Sequence, residues 1–246
     1  MCGRFVVARA SSDLVAEFDV DRVAESLPEP SWNVAPTQSV AVIIDAINRE
    51  AASGKDPDAP PVIRRLESAT WGLVPGWATD PSVGSKMFNA RIETAAEKPS
   101  FRAAVTKRRA AIPASGYYEW QTAADGTKTP VYIHAPDDEI VLFAGLYEWW
   151  KRPDAADDDP NRWVLSTSIL TREATGHLAP IHDRMPVFLE PGLLEDWLDP
   201  QTSGGPELLE AVSEAAVDLS DDLEFYRVSP AVGSVRTNSP ELILPV

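Results

Sequence analysis

Cysteine is almost absent. Cys2 is the only one in 246 residues, which excludes an intramolecular disulfide framework and suits a reducing compartment. Histidine is scarce as well: His134, His177 and His182 are the whole complement. One thiol and three dispersed imidazoles offer no paired-ligand spacing, so neither a metal nor another cofactor is expected. No apolar run reaches the roughly 18 residues of a membrane span, and no apolar signal-type segment opens the chain. The expectation is a soluble, cytoplasmic monomer with no membrane partner.

Lysine is the other shortage, with 6 among the 22 basic residues, against 38 acidic ones and a net charge of −16. An acidic excess with few lysines suggests adaptation to a salty, halophilic interior. As a sum, that charge argues against nucleic-acid binding, but its distribution is uneven. Residues 84–120 hold seven cations (Lys86, Arg91, Lys98, Arg102, Lys107, Arg108, Arg109) against Glu93, Glu97 and Glu119. This strip is the expected DNA path.

What is present is a 44% hydrophobic chain with a β-rich pattern. Phe5 to Ala8 reads as a short strand, and Ser11-Ser12-Asp13 as the cap of a helix through Phe18. A helical piece is expected from Asp21 to Leu27. The β-branched run from Ser39 to Ala46 predicts a buried strand, residues 48–61 a solvated loop, and Val62 to Leu66 another strand. Pro99 opens a helix that ends on Lys107-Arg108-Arg109, cations suited to a helix C-terminus. Strands follow over 110–115, 116–121, 129–134, 140–148 and 162–169, with Asp125-Gly126 as a hairpin turn. Residues 171–178, 193–198 and 206–217 read as helices, and 225–228 as a last strand. No repeat or long linker divides the chain, so a single α+β domain over 1–246 is expected.

Polar residues gather in three apolar settings: Asn89 to Thr94, Gly116 to Trp120, and Ile181 to Pro186. Glu119 lies among aromatics. Buried there, its pKa would rise and it could serve as general acid or base; an exposed or salt-bridged carboxylate is the alternative. His182 is equally a structural or a catalytic histidine. Trp71 and Trp77 bracket a Pro-Gly turn, as core packing or as a platform for bases. Removal of Met1 is expected to leave Cys2 with a thiol and an α-amine of pKa about 7.7–8.0. Together they can condense with an aldehyde to a five-membered thiazolidine, which an internal cysteine cannot do. An incidental cysteine at a frayed terminus is the other reading.

The ordered motifs Met1-Cys2-Gly3-Arg4, Asn33-Val34-Ala35-Pro36, Trp71-Gly72-Leu73-Val74-Pro75, Asn89-Ala90-Arg91, Tyr118-Glu119-Trp120 and His182-Asp183-Arg184-Met185-Pro186 make the chain resemble the SRAP (SOS-response-associated peptidase) family over nearly its whole length. The resemblance implies a β-rich α+β fold, with a barrel-like antiparallel core and peripheral helices. It also implies a role in DNA damage: binding single-stranded DNA at damaged sites of the nucleoid and capturing abasic sites as a thiazolidine crosslink. By the same resemblance Cys2 is the double nucleophile, Asn89 positions the terminus, Glu119 moves protons and His182 serves the sugar oxygen and reversal. Arg4, Arg91 and Arg184 match phosphate-contacting positions, and Asn33, Pro36, Trp71 and Trp120 also match DNA-binding ones. Thr70, Ile92 and Arg172 depart from the family pattern near the DNA path. Two rivals stand beside this reading. One is a thiol (auto)peptidase using Cys2, Glu119 and His182; the other is a module that binds single-stranded or modified DNA without a covalent bond.

Overall fold

A computed structural model describes residues 2–56 and 58–246. Its strands are β1 (Phe5–Val7), β2 (Arg22–Val23), β3 (Ser31–Val34), β4 (Ser39–Ile47), β5 (Val62–Trp71), β6 (Asn89–Arg91), β7 (Arg109–Ala114), β8 (Gly116–Thr122), β9 (Lys128–His134), β10 (Val141–Lys151), β11 (Trp163–Glu173), β12 (Arg184–Pro186) and β13 (Glu224–Arg227). The β-branched, two-sided apolar β4 is buried from Val40 to Asp45, as a strand covered on both faces must be. It pairs along its whole length with β5. β5 turns parallel to β11 at Ser166↔Thr70, β11 is antiparallel to β10, and β10 to β7. A single pair, Ile43↔Ala111, returns from β7 to β4 and closes a five-stranded barrel.

A second sheet, in the order β13-β9-β8-β1-β3, covers this barrel. The chain changes sheets between β7 and β8, at Gly116. Its φ is +154°, and a Cβ there would lie 2.6 Å from the Ile133 carbonyl oxygen and from the Tyr132 ring. Glycine is therefore required by both conformation and space. β1 is pinned between β3 and β8. Phe5 fills the core beneath it, edge-on to Trp71 at 4.9 Å and to Phe143 at 5.9 Å between ring centroids. Cys2 is three residues upstream of that plug.

Helix Pro206–Asp221 has proline in its first turn and buries Leu209, Val212, Ala216 and Ser220, an i, i+3, i+4 stripe laid against the core. It extends four residues past the expected end. Two expected helices are replaced. Residues 171–178 continue β11 to Glu173, because Thr171, Arg172 and Glu173 pair with β12; only Gly176–Leu178 form a 3-10 turn. Residues 21–27 hold β2 instead, running parallel to the edge of β5. In both places strand pairing supplies backbone partners that outweigh local helical preference.

The basic triplet is corrected in part. Arg109 is 2% exposed and donates to the carbonyls of Val105, Thr106, Trp197, Asp199 and Thr202. It thereby satisfies the orphan acceptors at the ends of helices Arg102–Lys107 and Leu194–Leu198. Its charge holds the fold together and lies off any DNA surface. No helix among the described residues is long and apolar enough to cross a membrane. The expected removal of Met1 concerns a residue outside those described.

Candidate active site

β8 sets the site by its pleat. Successive side chains alternate faces, so Tyr117 and Glu119 share the face turned to the main core, where Cys2 also lies. Tyr118 and Trp120 take the opposite face, packed with Val6, Tyr132 and Val232. Glu119 is 4% exposed. Burial raises the pKa of its carboxyl, and the charge of His182 pulls the other way. Cys2 is fully buried. Its thiol is pushed well up by burial and then by the negative charge of Glu119, with the Arg4 N–H opposing. The resting thiol is therefore protonated near neutral pH.

Asn89 opens β6, whose parallel register against β11 places it beside Ile169. Its Nδ2 donates to the Cys2 carbonyl at 2.7 Å. His182 sits in the turn before β12. Its Nδ1 accepts the Arg184 N–H at 3.0 Å and lies 2.8 Å from Asp183 Oδ1. Accepting needs an unprotonated Nδ1 and donating to Asp183 a protonated one, so Nδ1 serves one of these two partners at a time.

The expected DNA contacts divide into several kinds. The Arg4 guanidinium donates to Asn33 Oδ1 and to the Val232 carbonyl, each at 2.9 Å. Asn33, 2% exposed, spends its amide on the carbonyls of Val232, Ser234 and Thr237. Asn33 is thus the tie that fastens the C-terminal segment to β3 and holds Arg4. Arg184 makes a bidentate pair with Glu93 at 2.6 and 2.9 Å and also reaches the Thr171 carbonyl. Burial works to raise the Glu93 pKa, but Arg184 prevails and holds it low, so this arginine is already matched by a carboxylate. Arg91 is exposed, and Pro36 and Trp120 are half-buried.

Trp71 is corrected. It is 0% exposed, its indole donates to the Phe88 carbonyl at 2.8 Å, and its ring meets Phe5 and Phe88 edge-on. No face is open to a base. It braces the residue before Asn89 and the residue after Arg4 instead. Two neighbours were not singled out in the sequence. Tyr117 is buried close enough to Cys2 and Glu119 that, after burial, their charges raise its pKa; strand alternation with Glu119 was the available signal. Glu93 lay within the polar Asn89-to-Thr94 cluster, but nothing in the sequence marked it as the partner of Arg184. Among the described residues, no group of three or more His, Cys, Asp or Glu is placed to hold a metal.

This geometry defines a β-barrel protein whose buried thiol and carboxylate meet a half-buried imidazole at the start of the chain. A sequence model of the SOS response associated peptidase (SRAP) family matches residues 1–235, and the chain belongs to that family. It is 38% identical to the abasic site processing protein YoqW of Bacillus subtilis, over 99% of both chains. It is 31% identical to the abasic site processing protein YedK of Escherichia coli, over 100% of both. A crystal structure of a protein from Bacteroides thetaiotaomicron superposes with a TM-score of 0.76 at 23% identity over 100% of both chains, a likeness of fold.

Proposed function

We infer that this protein processes abasic sites in single-stranded DNA by capturing the sugar aldehyde on Cys2 as a thiazolidine. The reading is carried by one observation: Asn89 fixes the Cys2 backbone on the face where Glu119 is buried with a raised pKa. The names of the bacterial relatives support the same substrate. Once Met1 is removed, the α-amine of Cys2 adds to the open-chain aldehyde and water leaves. The thiol then adds to the imine carbon, and as the C–S bond forms its proton is relayed to the imine nitrogen, which becomes the ring N–H. A thiol kept protonated by burial needs a nearby acceptor at that moment, and Glu119 is suited to take the proton. His182, with two alternative Nδ1 partners, is suited to protonate the sugar oxygen and to serve reversal or strand scission.

The test is denaturing electrophoresis with an abasic oligonucleotide. Wild type is expected to give a heat-stable adduct and a mass lower by one methionine. Cys2→Ala is expected to give at most a labile imine, trapped only with borohydride. A heat-stable adduct from Cys2→Ala without reductant overturns the assignment. Cleavage of unrelated proteins with no DNA adduct would favour the peptidase reading instead. An affinity for abasic DNA that Cys2→Ala leaves unaltered, with no adduct from wild type, would favour non-covalent binding.

A further inference from the structure

The barrel is weakly closed on one side. β4 and β7 pair only at Ile43↔Ala111; the remainder of β4, from Ile44 to Ile47, is paired with β5 alone. The strands part there and leave a groove of about 960 Å³ between the end of β4 and the strands β10 and β11. Along β11 the groove begins at Trp163, six residues from Ile169, the partner of Asn89. At about 3.3 Å per residue that is roughly 20 Å from the Cys2 site.

The groove has the wrong charge for its chain. Its lining includes five cations, Arg22, Arg49, Arg65, Lys107 and Arg162, but two acids, Asp45 and Glu50, in a protein of net charge −16. Both acids are already engaged: Asp45 is bound by Arg64 through two 2.9 Å contacts, and Glu50 faces Arg22 at 3.4 Å. Arg65 pairs with Glu67. Among the described residues Arg49, Lys107 and Arg162 are in no ion pair.

Aromatic surface lies beside these cations. Tyr147 and Trp149 alternate onto one face of β10. Trp163 stands on that face of β11, opposite Lys151 and diagonal to Trp149, within reach for rings. The Trp163 side of this pair is open: the residue is 46% exposed. Cations in no ion pair and an exposed indole lining one groove are the two elements that hold a single strand, phosphates on the cations and bases on the ring.

We propose that the β4–β10 groove is a second binding site for single-stranded DNA, which holds the strand away from the lesion while Cys2 engages the abasic nucleotide. This rests on the reading of the chain as an abasic-site protein only for the identity of its strand. The groove's charge and aromatic surface stand without it.

The experiment uses lesion-free oligonucleotides of about 3 and about 30 nucleotides, bracketing the roughly 4–16-nucleotide footprint of a single-strand groove, with fluorescence anisotropy as readout. In the full chain, Arg49→Glu, Arg162→Glu and Trp163→Ala are combined, with Trp163→Phe as the conservative variant; thermal melting confirms the fold. The triple variant is expected to lose tenfold or more in affinity for the long strand. Its salt slope should become shallower by about 0.7 for each phosphate the groove no longer holds. Trp163→Phe should retain most of the affinity. Crosslinking of a short abasic strand should proceed at the wild-type rate. Unaltered long-strand affinity in a folded triple variant overturns the groove proposal and leaves the Cys2 reading untouched. Absence of any crosslink in wild type, with long-strand affinity still reduced in the variant, sinks the Cys2 reading and sustains the groove. Equal weakening on short and long strands would place the binding at the Cys2 site and reject the groove.

Discussion

Asn89 Nδ2 donates to the carbonyl of Cys2 at 2.7 Å, tying the second residue of the chain to a strand that begins 87 residues later. The bond fixes the peptide plane beyond Cys2 and so restrains the position of its Cα, from which the nitrogen and the thiol-bearing side chain branch. Reaction at a terminus otherwise pays for ordering a mobile end. Asn89→Ala should remove one hydrogen bond, about 0.5–1.5 kcal/mol, lower the melting temperature by about 1–6 °C, and slow crosslinking by about tenfold at temperatures where the variant is fully folded. Single-turnover crosslinking beside a thermal melt measures both. A loss of stability that accounts for the whole loss of rate would make Asn89 a fold residue.

Glu119→Gln separates chemistry from stability. The Glu119 carboxyl is buried and its pKa raised, so its ionised form is disfavoured in the fold. A raised folded pKa contributes stability below the unfolded value and loses it as pH rises through the folded value. Above the ordinary carboxylate range the glutamine variant should melt higher than wild type, by about 2–4 °C for each kcal/mol relieved. The advantage should vanish in acid, near pH 4 and below. Crosslinking should meanwhile slow by about 10²–10⁴-fold, as for loss of a general acid or base. A variant that melts lower than wild type at neutral pH would mean that the carboxylate is a structural anchor.

Trp71→Ala should behave as a core truncation. The indole is wholly buried, so about 3–5 kcal/mol of stability should be lost, read as a lower midpoint in urea. Trp71→Phe should recover much of the stability, though it loses the bond to the Phe88 carbonyl. A Trp71→Ala protein as stable as wild type but weak on DNA would restore the base-stacking role.

The elements that were legible in the sequence are those whose local pattern and tertiary setting agree. The β-branched run at β4 is a buried strand on either ground, and Pro206 with Leu209, Val212 and Ala216 reads as a helix on either ground. β11 past Ile169 was lost because its strand character comes from β6 and β12, partners distant in sequence. Arg109 was legible as a helix C-terminal cation, and it does donate to the Val105 and Thr106 carbonyls. Its burial was not legible, because Trp197, Asp199 and Thr202 arrive from about 90 residues away. The polar residues at the site were found by their setting, Glu119 among aromatics above all. What each does was less legible: Asn33, Arg184 and Trp71 carry the same motifs as Arg91, yet they are held by Val232, Glu93 and Phe88 respectively.

These internal pairings reshape the expected response to salt. Of the seven cations in residues 84–120, Arg109 is consumed by carbonyls and Arg108 lies 2.7 Å from Glu148. Arg184, outside the strip, is held by Glu93. Among the described residues Arg4 is in no ion pair but is lodged against the Asn33 and Val232 oxygens. Few arginines near Cys2 are therefore at liberty to release counterions from a strand. Single-stranded binding weakens with salt by a slope of about −0.7 per phosphate contact. A short abasic oligonucleotide, confined to the Cys2 site, should show a slope of about −2 or shallower before capture. With Trp71 buried, base stacking there cannot explain persistence in concentrated salt; covalent capture can, because a C–S bond is indifferent to screening. Crosslink yield at long times should survive molar salt even as the initial rate falls. The measurement is pre-capture anisotropy with Cys2→Ala, together with crosslink yield for wild type across a salt series, the fold checked at each point. A steep slope with yield collapsing in folded protein would reject both this division of labour and the adaptation to a salty interior that the acidic composition suggests.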